Sequence, residues 1–310
     1  MYDLIIIGGG PGGAAGAVYA ARKQLKTLLI TSDFGGQSVV STDIQNWIGT
    51  TNISGQELAD NLKKHVLAYA NDVVTVKEGV IVTSIKKSPD QTVNIFDVTT
   101  DQNETYQAKT VLISSGSGHR RLEALGADRL EHKGLTYCAS CDGPLFTDMD
   151  VAVIGGGNSA FETAAQLLAY TKSVTLIHRN QNYRADPITV KKVLSHPKMH
   201  DLLNVDILEI KGDKFVDGIV YKEKNSETKE LKVAGIFVEI GQIPNTAFAK
   251  DIVDLDEYNR IKIDPWTGKS STPGIWAAGD CTNILYHQNN IATGDAVKAV
   301  EDLYLYLHAK

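Results

Sequence analysis

Leu4-Ile-Ile-Ile7-Gly8-Gly-Gly10-Pro11-Gly-Gly13 near the start, and Val151-Ala-Val-Ile154-Gly155-Gly-Gly157-Asn158-Ser159-Ala160 in the middle, are two versions of one pattern. A short, wholly apolar run reads as a central parallel strand covered on both faces, and the glycines then turn the chain into a small-residue helix. The first helix is predicted over residues 14–23 and the next strand over 28–30; in the second copy they fall at 159–169 and 174–177. Strand, glycine turn, helix and parallel strand make the dinucleotide-binding βαβ unit, in which a pyrophosphate approaches bare backbone at the helix N-terminus. Gly8 makes the turn, Gly10 admits the phosphates, and Gly13 lets helix and strand pack closely. The expected class is therefore α/β, with two Rossmann-like, three-layer ββα domains.

The intervening chain fits that expectation. Ser54-Gly-Gln-Glu57 is a capping box, followed by Leu58, Leu62, Val66 and Tyr69 on one helical face. Strands are expected over 80–85, 94–98 and 110–114, and in the second unit over 205–210, 218–222 and 236–240. Ser115-Gly-Ser-Gly118 and Gly241-Gln-Ile-Pro-Asn245 read as linkers. They bracket the middle of the chain, so the second domain (116–245) is expected as an insertion in the first (1–115 and 246–310).

Between the fingerprints lies Cys138-Ala-Ser-Cys141-Asp142-Gly-Pro. A C-x-x-C pair can close a disulfide within one turn and can lower the pKa of its attacking thiol. The other use of such a pair, half of a zinc site, needs two further ligands. Cys281 is the only other cysteine, no second C-x-x-C exists, and none of the eight histidines is read as a ligand. A redox dithiol is the reading, with no metal. Asp142 has two readings from spacing alone, a proton carrier for a leaving thiolate or a cap for the following turn. Cys281 reads as a small buried residue.

The residues that end each second strand bear on the ligands. After the first fingerprint the strand ends in Ile30-Thr31-Ser32, with no acid to grip a ribose and with Asp33 one position late. After the second it ends in His178-Arg179, with Arg184 following. Arginine in place of an acid favours a 2′-phosphate, hence NADPH, with NADH as the alternative.

The remaining features exclude whole classes. A chain of 310 residues that is 43% apolar can build more than one core, and a net charge of -6 without a basic stripe argues against nucleic acid. No apolar stretch approaches the ~18 residues of a membrane span. Met1-Tyr-Asp3 lacks the basic start of a targeting signal, and three cysteines are too few for a disulfide scaffold. A cytoplasmic protein is expected.

On these residues the chain resembles the low-molecular-weight thioredoxin reductases, class II pyridine nucleotide-disulfide oxidoreductases. It is similar also to the flavoprotein subunit of alkyl hydroperoxide reductase. Phe34-Gly-Gly-Gln37, Asn46-Trp47, Cys138 to Phe146, Gly235-Ile-Phe-Val, Ile243-Pro-Asn-Thr246, Ala277-Ala-Gly-Asp280 and Tyr286-His-Gln288 carry the resemblance. It implies an FAD domain built from both chain ends, an inserted NADPH domain carrying the dithiol, a large domain rotation and a homodimer. It places Gly8, Gly10, Pro11, Gly13, Thr31, Gly36, Gln37, Asn46, Gly279, Asp280, Gln288 and Ile291 around FAD. It places Gly155, Gly157, Asn158, Ser159 and Ala160 on the NADPH pyrophosphate, Arg179 and Arg184 at the 2′-phosphate, and His178 in the same NADPH site. Cys141 would face the flavin, Cys138 would attack a thioredoxin or glutaredoxin-like protein, and Asp142 would be the acid.

There are departures. The family's His-Arg-Arg-x-x-x-Arg has Asn180 in place of its second arginine, a basic residue before Gln288 is His287, and Ala-Thr-Gly-Ala is Ser114-Ser-Gly-Ser117. Gly-Pro-Leu-Phe and Gly-Ile-Phe-Val lean towards the hydroperoxide-reductase flavoprotein. Because the first fingerprint begins at residue 8, that flavoprotein's N-terminal thioredoxin-like domains are not expected, and a separate dithiol protein is the expected acceptor. The rivals are an NADH-dependent peroxiredoxin-system reductase, a same-fold enzyme using another electron donor or oxygen as acceptor, and a redox sensor that does not turn over. A ferredoxin–NADP reductase of similar fold is disfavoured, since it has no need of the dithiol.

Overall fold

A computed structural model describes residues 1–41, 43–70, 73–88, 94–223 and 227–308. Strand β1 (Tyr2–Gly9) runs into helix α1 (Pro11–Arg22), which begins at the proline of the fingerprint because proline is pre-set for the first helical position. Then come β2 (Thr27–Phe34), α2 (Gly55–Leu67), β3 (Val74–Glu78), β4 (Val82–Lys87), β5 (Phe96–Thr100) and β6 (Thr105–Ile113). The capping box is present at its N-cap end: Ser54 Oγ accepts the Glu57 N–H at 3.1 Å. The chain continues through β7 (Ser117–His119), α3 (Ala127–Leu130), β8 (Leu135–Thr136) and α4 (Ala139–Asp142) to β9 (Asp150–Gly155), α5 (Asn158–Leu167) and β10 (Ser173–His178). Helix α6 (Pro187–Leu194) and β11 (Met199–Leu203) precede a meander of β12 (Val205–Gly212), β13 (Val216–Glu223) and β14 (Thr228–Leu231). The last elements are β15 (Gly235–Glu239), β16 (Gln242–Pro244), β17 (Ile275–Ala277) and α7 (Asn289–His308).

Two compact units result, Met1–Gly118 with Ile243–Lys310, and His119–Gln242. The connecting segments β7 and β16 pair with each other. In the first unit the sheet order is β3-β2-β1-β6-β5-β4, with β17 also on β6. Strands β3, β2, β1, β6 and β17 are parallel, while β6-β5-β4 are antiparallel. In the second unit a parallel sheet, β11-β10-β9-β15-β8, faces the antiparallel β12-β13-β14. In both, the fingerprint strand (β1 or β9) lies beside the point where the chain leaves one half of the sheet for the other, which is where open α/β sheets bind ligands.

Each sheet is buried on both faces by alternation. Ile6 and Leu29 face α1 and α7, whereas Ile5 and Leu28 face the other side. In the second unit Val151, Val153 and Phe237 pack under α5 with Phe161, Ala164 and Leu167, while Ala152, Ile154 and Val238 meet the meander. The strand expected at 28–30 extends to Phe34, so Thr31, Ser32 and Asp33 belong to it and do not follow it. Strands β3 and β11 and helices α6 and α7 carried no distinct sequence signal. No helix among the described residues is long and apolar enough to cross a membrane.

Phe161 is fully buried and meets Tyr183 edge-on at 4.8 Å. Phe161→Ala is expected to cost about 3–5 kcal/mol, read as a lower urea midpoint at unchanged slope; a loss below about 1 kcal/mol would contradict this packing.

Candidate active site

In the first unit a cavity of about 300 Å3 opens at the C-terminal ends of β1, β2 and β6. Gly8, Gly10, Pro11, Thr31, Gly36, Gln37, Gly279, Asp280 and Gln288 line it. Gly8 has φ +110°, and a Cβ on it would overlap the Ser114 carbonyl. A Cβ on Gly10 meets only Gly36, at 4.0 Å, so this edge of the loop is bare backbone. Gly13 is not on the wall; a Cβ there would overlap the Gly8 carbonyl, and its absence lets α1 sit on β1. These are the openings that a phosphate-bearing cofactor needs.

Two residues expected around the same ligand stand elsewhere. Asn46 is off the wall and donates from Nδ2 to Gln288 Oε1 at 3.1 Å, so it acts through Gln288. Ile291, in the first turn of α7, is half-buried and does not reach the wall, which Asn289 and Ala292 reach from that helix. Sequence reading missed the most telling contributor: Ser114, read as a strand end, and Ser115–Ser117, read as linker, form part of the wall together with Asn245. Ser115 Oγ donates to the Asn245 carbonyl at 2.6 Å, and Asn245 Nδ2 donates to the Ser115 carbonyl at 3.0 Å. Gln37 Nε2 donates to the Ser117 carbonyl. His287 Nδ1 lies 3.4 Å from Asp280 Oδ1.

At the second fingerprint Gly155 plays the part of Gly8, its missing Cβ making room for the Glu239 carbonyl. Gly157 has open space around its Cβ position. Asn158 Oδ1 accepts the Asp186 N–H at 2.8 Å, and the Gly156 carbonyl accepts the Arg184 N–H at 2.7 Å, so the loop after β10 is fastened to the glycine turn. Arg179 and Arg184 are exposed, and no ion pair engages either among the described residues. His178, expected in the NADPH site, lies beside Gly156. It is 9% exposed, its ring fills the space beside Gly156, and it stacks on Tyr183. Burial and the two arginines hold its pKa below the usual value, so it supports the turn as a neutral ring.

The dithiol lies in the same unit. Cys138 and Cys141 are joined by a disulfide with Cα atoms 5.3 Å apart. The Cys138 sulfur accepts the Cys141 N–H at 3.2 Å as the cap of α4, which stabilises negative charge on that sulfur. Exposure runs the other way, with Cys138 half-buried and Cys141 exposed. The segment is fixed to the sheet by Phe146, edge-on to Phe237 at 5.5 Å, and a side chain on Gly235 would overlap Phe146. Asp142 does not cap the turn that follows it. Its carboxylate accepts from Thr136 Oγ1, and burial raises its pKa against the opposing effects of Thr136 and His132. Gly143 is required because the Tyr170 hydroxyl occupies its Cβ position.

Each unit carries a sheet with a glycine turn, and the second also carries the disulfide. The chain belongs to the pyridine nucleotide-disulphide oxidoreductase family, which matches residues 2–299; membership implies a flavin and a pyridine nucleotide. The F subunit of alkyl hydroperoxide reductase in Escherichia coli is 37% identical over 310 residues, covering 99% of this chain and 58% of that protein. A Bacillus subtilis protein named NADH dehydrogenase is 35% identical over 307 residues, 99% of this chain and 58% of its own. The chain thus spans well under two thirds of the curated relatives it matches. Among solved structures, thioredoxin reductase from Streptococcus pyogenes superposes with a TM-score of 0.91 at 33% identity, covering 100% of this chain and 99% of that one. Thioredoxin reductase from Giardia duodenalis gives 0.91 at 31% identity, covering 99% and 98%.

Cys281 is fully buried, its sulfur against the Ala278 and Ile113 carbonyls, and burial pushes its thiol up to about 11. Thiol titration of the native, mildly reduced protein should find two reactive thiols per chain, and a third only after unfolding. Three fast thiols in the native protein would refute the placement of Cys281.

Proposed function

We propose that this chain is a thioredoxin reductase: an FAD enzyme that takes electrons from NADPH and delivers them through Cys138 and Cys141 to a thioredoxin or glutaredoxin-like protein. The single observation that carries this reading is the disulfide with a buried acid beside it, on the same unit as a nucleotide fingerprint. A cytoplasmic homodimer goes with it. The glycine-lined cavity of the first unit suits FAD, with Gly10 and Pro11 at the pyrophosphate, Asp280 and Gln37 along the rest, and Gln288 held by Asn46. Arg179 and Arg184 would take the 2′-phosphate of NADPH.

Bound flavin supplies a two-electron relay between a reduced nicotinamide and the disulfide. The Cys138–Cys141 bond breaks as it receives two electrons and one proton, leaving one thiol and one thiolate. The N–H of Cys141 keeps the negative charge on Cys138. That thiolate attacks the partner's disulfide, forming a mixed disulfide and expelling a partner thiolate, which Asp142 protonates. Loss of the Cys141 proton, with Asp142 as its nearest relay, makes the second thiolate. It breaks the mixed disulfide, re-forms Cys138–Cys141 and expels the partner's second sulfur as a thiolate, which takes the proton from Asp142 to give the dithiol. The raised pKa of Asp142 keeps the acid protonated to higher pH than an ordinary carboxyl.

A second reading, an NADH-dependent reductase of a peroxiredoxin system, draws on the relatives' names and on Asn180 where the reductases have a second arginine. Anaerobic titration of the flavin-loaded protein decides between them. Bleaching of flavin absorbance by NADPH at far lower concentration than by NADH supports the first reading, the reverse supports the second, and bleaching by neither sinks both.

Three variants test the assignments. Cys138→Ser should abolish reduction of a disulfide protein while flavin bleaching persists; the same outcome for Cys141→Ser but not Cys138→Ser would reverse the two sulfurs. Arg179→Ala should raise the KM for NADPH about tenfold to a hundredfold, as expected for lost hydrogen bonds to a charged group, and leave NADH unchanged. Thr136→Val removes a donor that favours the Asp142 carboxylate, so the alkaline limb of the disulfide-reduction profile should move to higher pH and return with Thr136→Ser. An unmoved limb would take Asp142 out of the proton path.

A further inference from the structure

Glu239 has no part in the scheme above, yet it ends β15, the strand next to the second fingerprint on the crossover side. The internal repeat says what that position faces. In the first unit β1 pairs with β6, the Gly8 turn makes room for the Ser114 carbonyl, and the Ser114 side chain lies against Gly12 at the start of α1. In the second, β9 pairs with β15 with Gly155 opposite Glu239, and Gly155 makes room for the Glu239 carbonyl. The Glu239 carboxyl in turn lies along the start of α5, accepting from Thr163 Oγ1 at 2.8 Å and hydrogen-bonded to Ser159. Ser159 is the counterpart of Gly12, since it follows Gly155 at the same spacing as Gly12 follows Gly8. Ser114 is on the wall of the first cavity. Where one unit presents a neutral hydroxyl to its ligand, the other presents a carboxyl.

That carboxyl lies against the helix end whose N–H groups and partial positive charge a pyrophosphate would use. Carboxylate and pyrophosphate are both anions, and they repel one another in a partly buried place where screening is weak. Protonating Glu239 removes the conflict. Resting on the nucleotide site of the proposed function, we infer that nucleotide binding here is proton-linked, and that the form of the protein which accepts the nucleotide carries a neutral Glu239.

The surroundings are consistent with a readily held proton. Burial is the largest influence on Glu239 and raises its pKa to about 7, with Glu162 on α5 adding repulsion and Thr163 and Ser159 opposing it. From β10, His178 is held neutral and Arg179 and Arg184 are exposed. Beyond β8 stands Asp142, bonded to Thr136 and itself raised by burial. Strand β9 brings no charge to this end, its Asp150 lying at the opposite one with Lys172. The sign follows: well below this pKa the carboxyl is already neutral and affinity is flat, whereas above it a proton must be taken up and affinity falls.

Isothermal titration of the flavin-loaded protein with NAD+ and with NADP+, at pH 6, 7 and 8 in buffers of different ionisation enthalpy, reads both effects without turnover. Wild type should take up protons on binding at pH 7–8, and its Kd should rise by up to about tenfold between pH 7 and 8. Glu239→Gln should take up none beyond the nucleotide's own, and should bind about as tightly at pH 8 as wild type does at pH 6. Using both nucleotides separates the 2′-phosphate, which titrates near pH 6 by itself. Wild-type binding without proton uptake, or with the same slope in Glu239→Gln, would overturn the inference while leaving the nucleotide site in place. Failure of wild type to bind either nucleotide at any pH would remove the site, and the inference with it.

Discussion

Two carbonyl oxygens govern both halves of this molecule. That of Ser114 occupies the space a side chain on Gly8 would fill, and that of Glu239 does the same at Gly155. Neighbouring parallel strands can approach so closely at their C-terminal ends only because each fingerprint strand ends without a side chain. The following helices then start directly over the strand ends, with their N–H groups turned to the crevice. Any larger residue at Gly8 or Gly155 would push apart the strand pair on which the cavity wall, the helix start and the crossover all depend.

The dithiol segment shows the same reliance on close contact. Phe146 lies against Phe237 over the bare Gly235, so the Cys138–Phe146 and Gly235–Val238 motifs are two sides of one joint. Tyr170 leaves room at Gly143 for backbone alone. Two glycines far apart in the sequence thus serve to bring a disulfide and its acid onto a rigid sheet, where the acid's environment is set by Thr136 and by burial.

Much of this was legible in the chain. The glycine turns, their flanking strands and helices, the capping box at Ser54 and the burial of Cys281 all follow from local pattern. What local pattern hides is direction and company. Ser115–Ser117 has the composition of a linker, yet it forms cavity wall because β6 ends beside β1. Asn46 and Gln288 are 242 positions apart, so their bond is invisible to spacing. His178 sits next to arginine in sequence, but strand alternation turns its ring inward under Gly156. Asp142 has the spacing of a cap, and only the fold shows Thr136 claiming its carboxylate. Helix α7 buries Ala296, Ala299, Val300 and Leu303 at helical spacing, a stripe made inconspicuous by its two alanines.

The fastening of the loop after β10 bears on how such a protein changes over generations. Residues 179–185 are anchored at one end by β10 and at the other by the Asn158–Asp186 and Gly156–Arg184 bonds, neither of which involves the identity of an exposed side chain at 179, 180 or 184. Those side chains are therefore free to vary without disturbing the glycine turn or the disulfide. Under the proposed function, cofactor preference is then a detachable module, one that a lineage can retune residue by residue while the disulfide and its sheet stay intact.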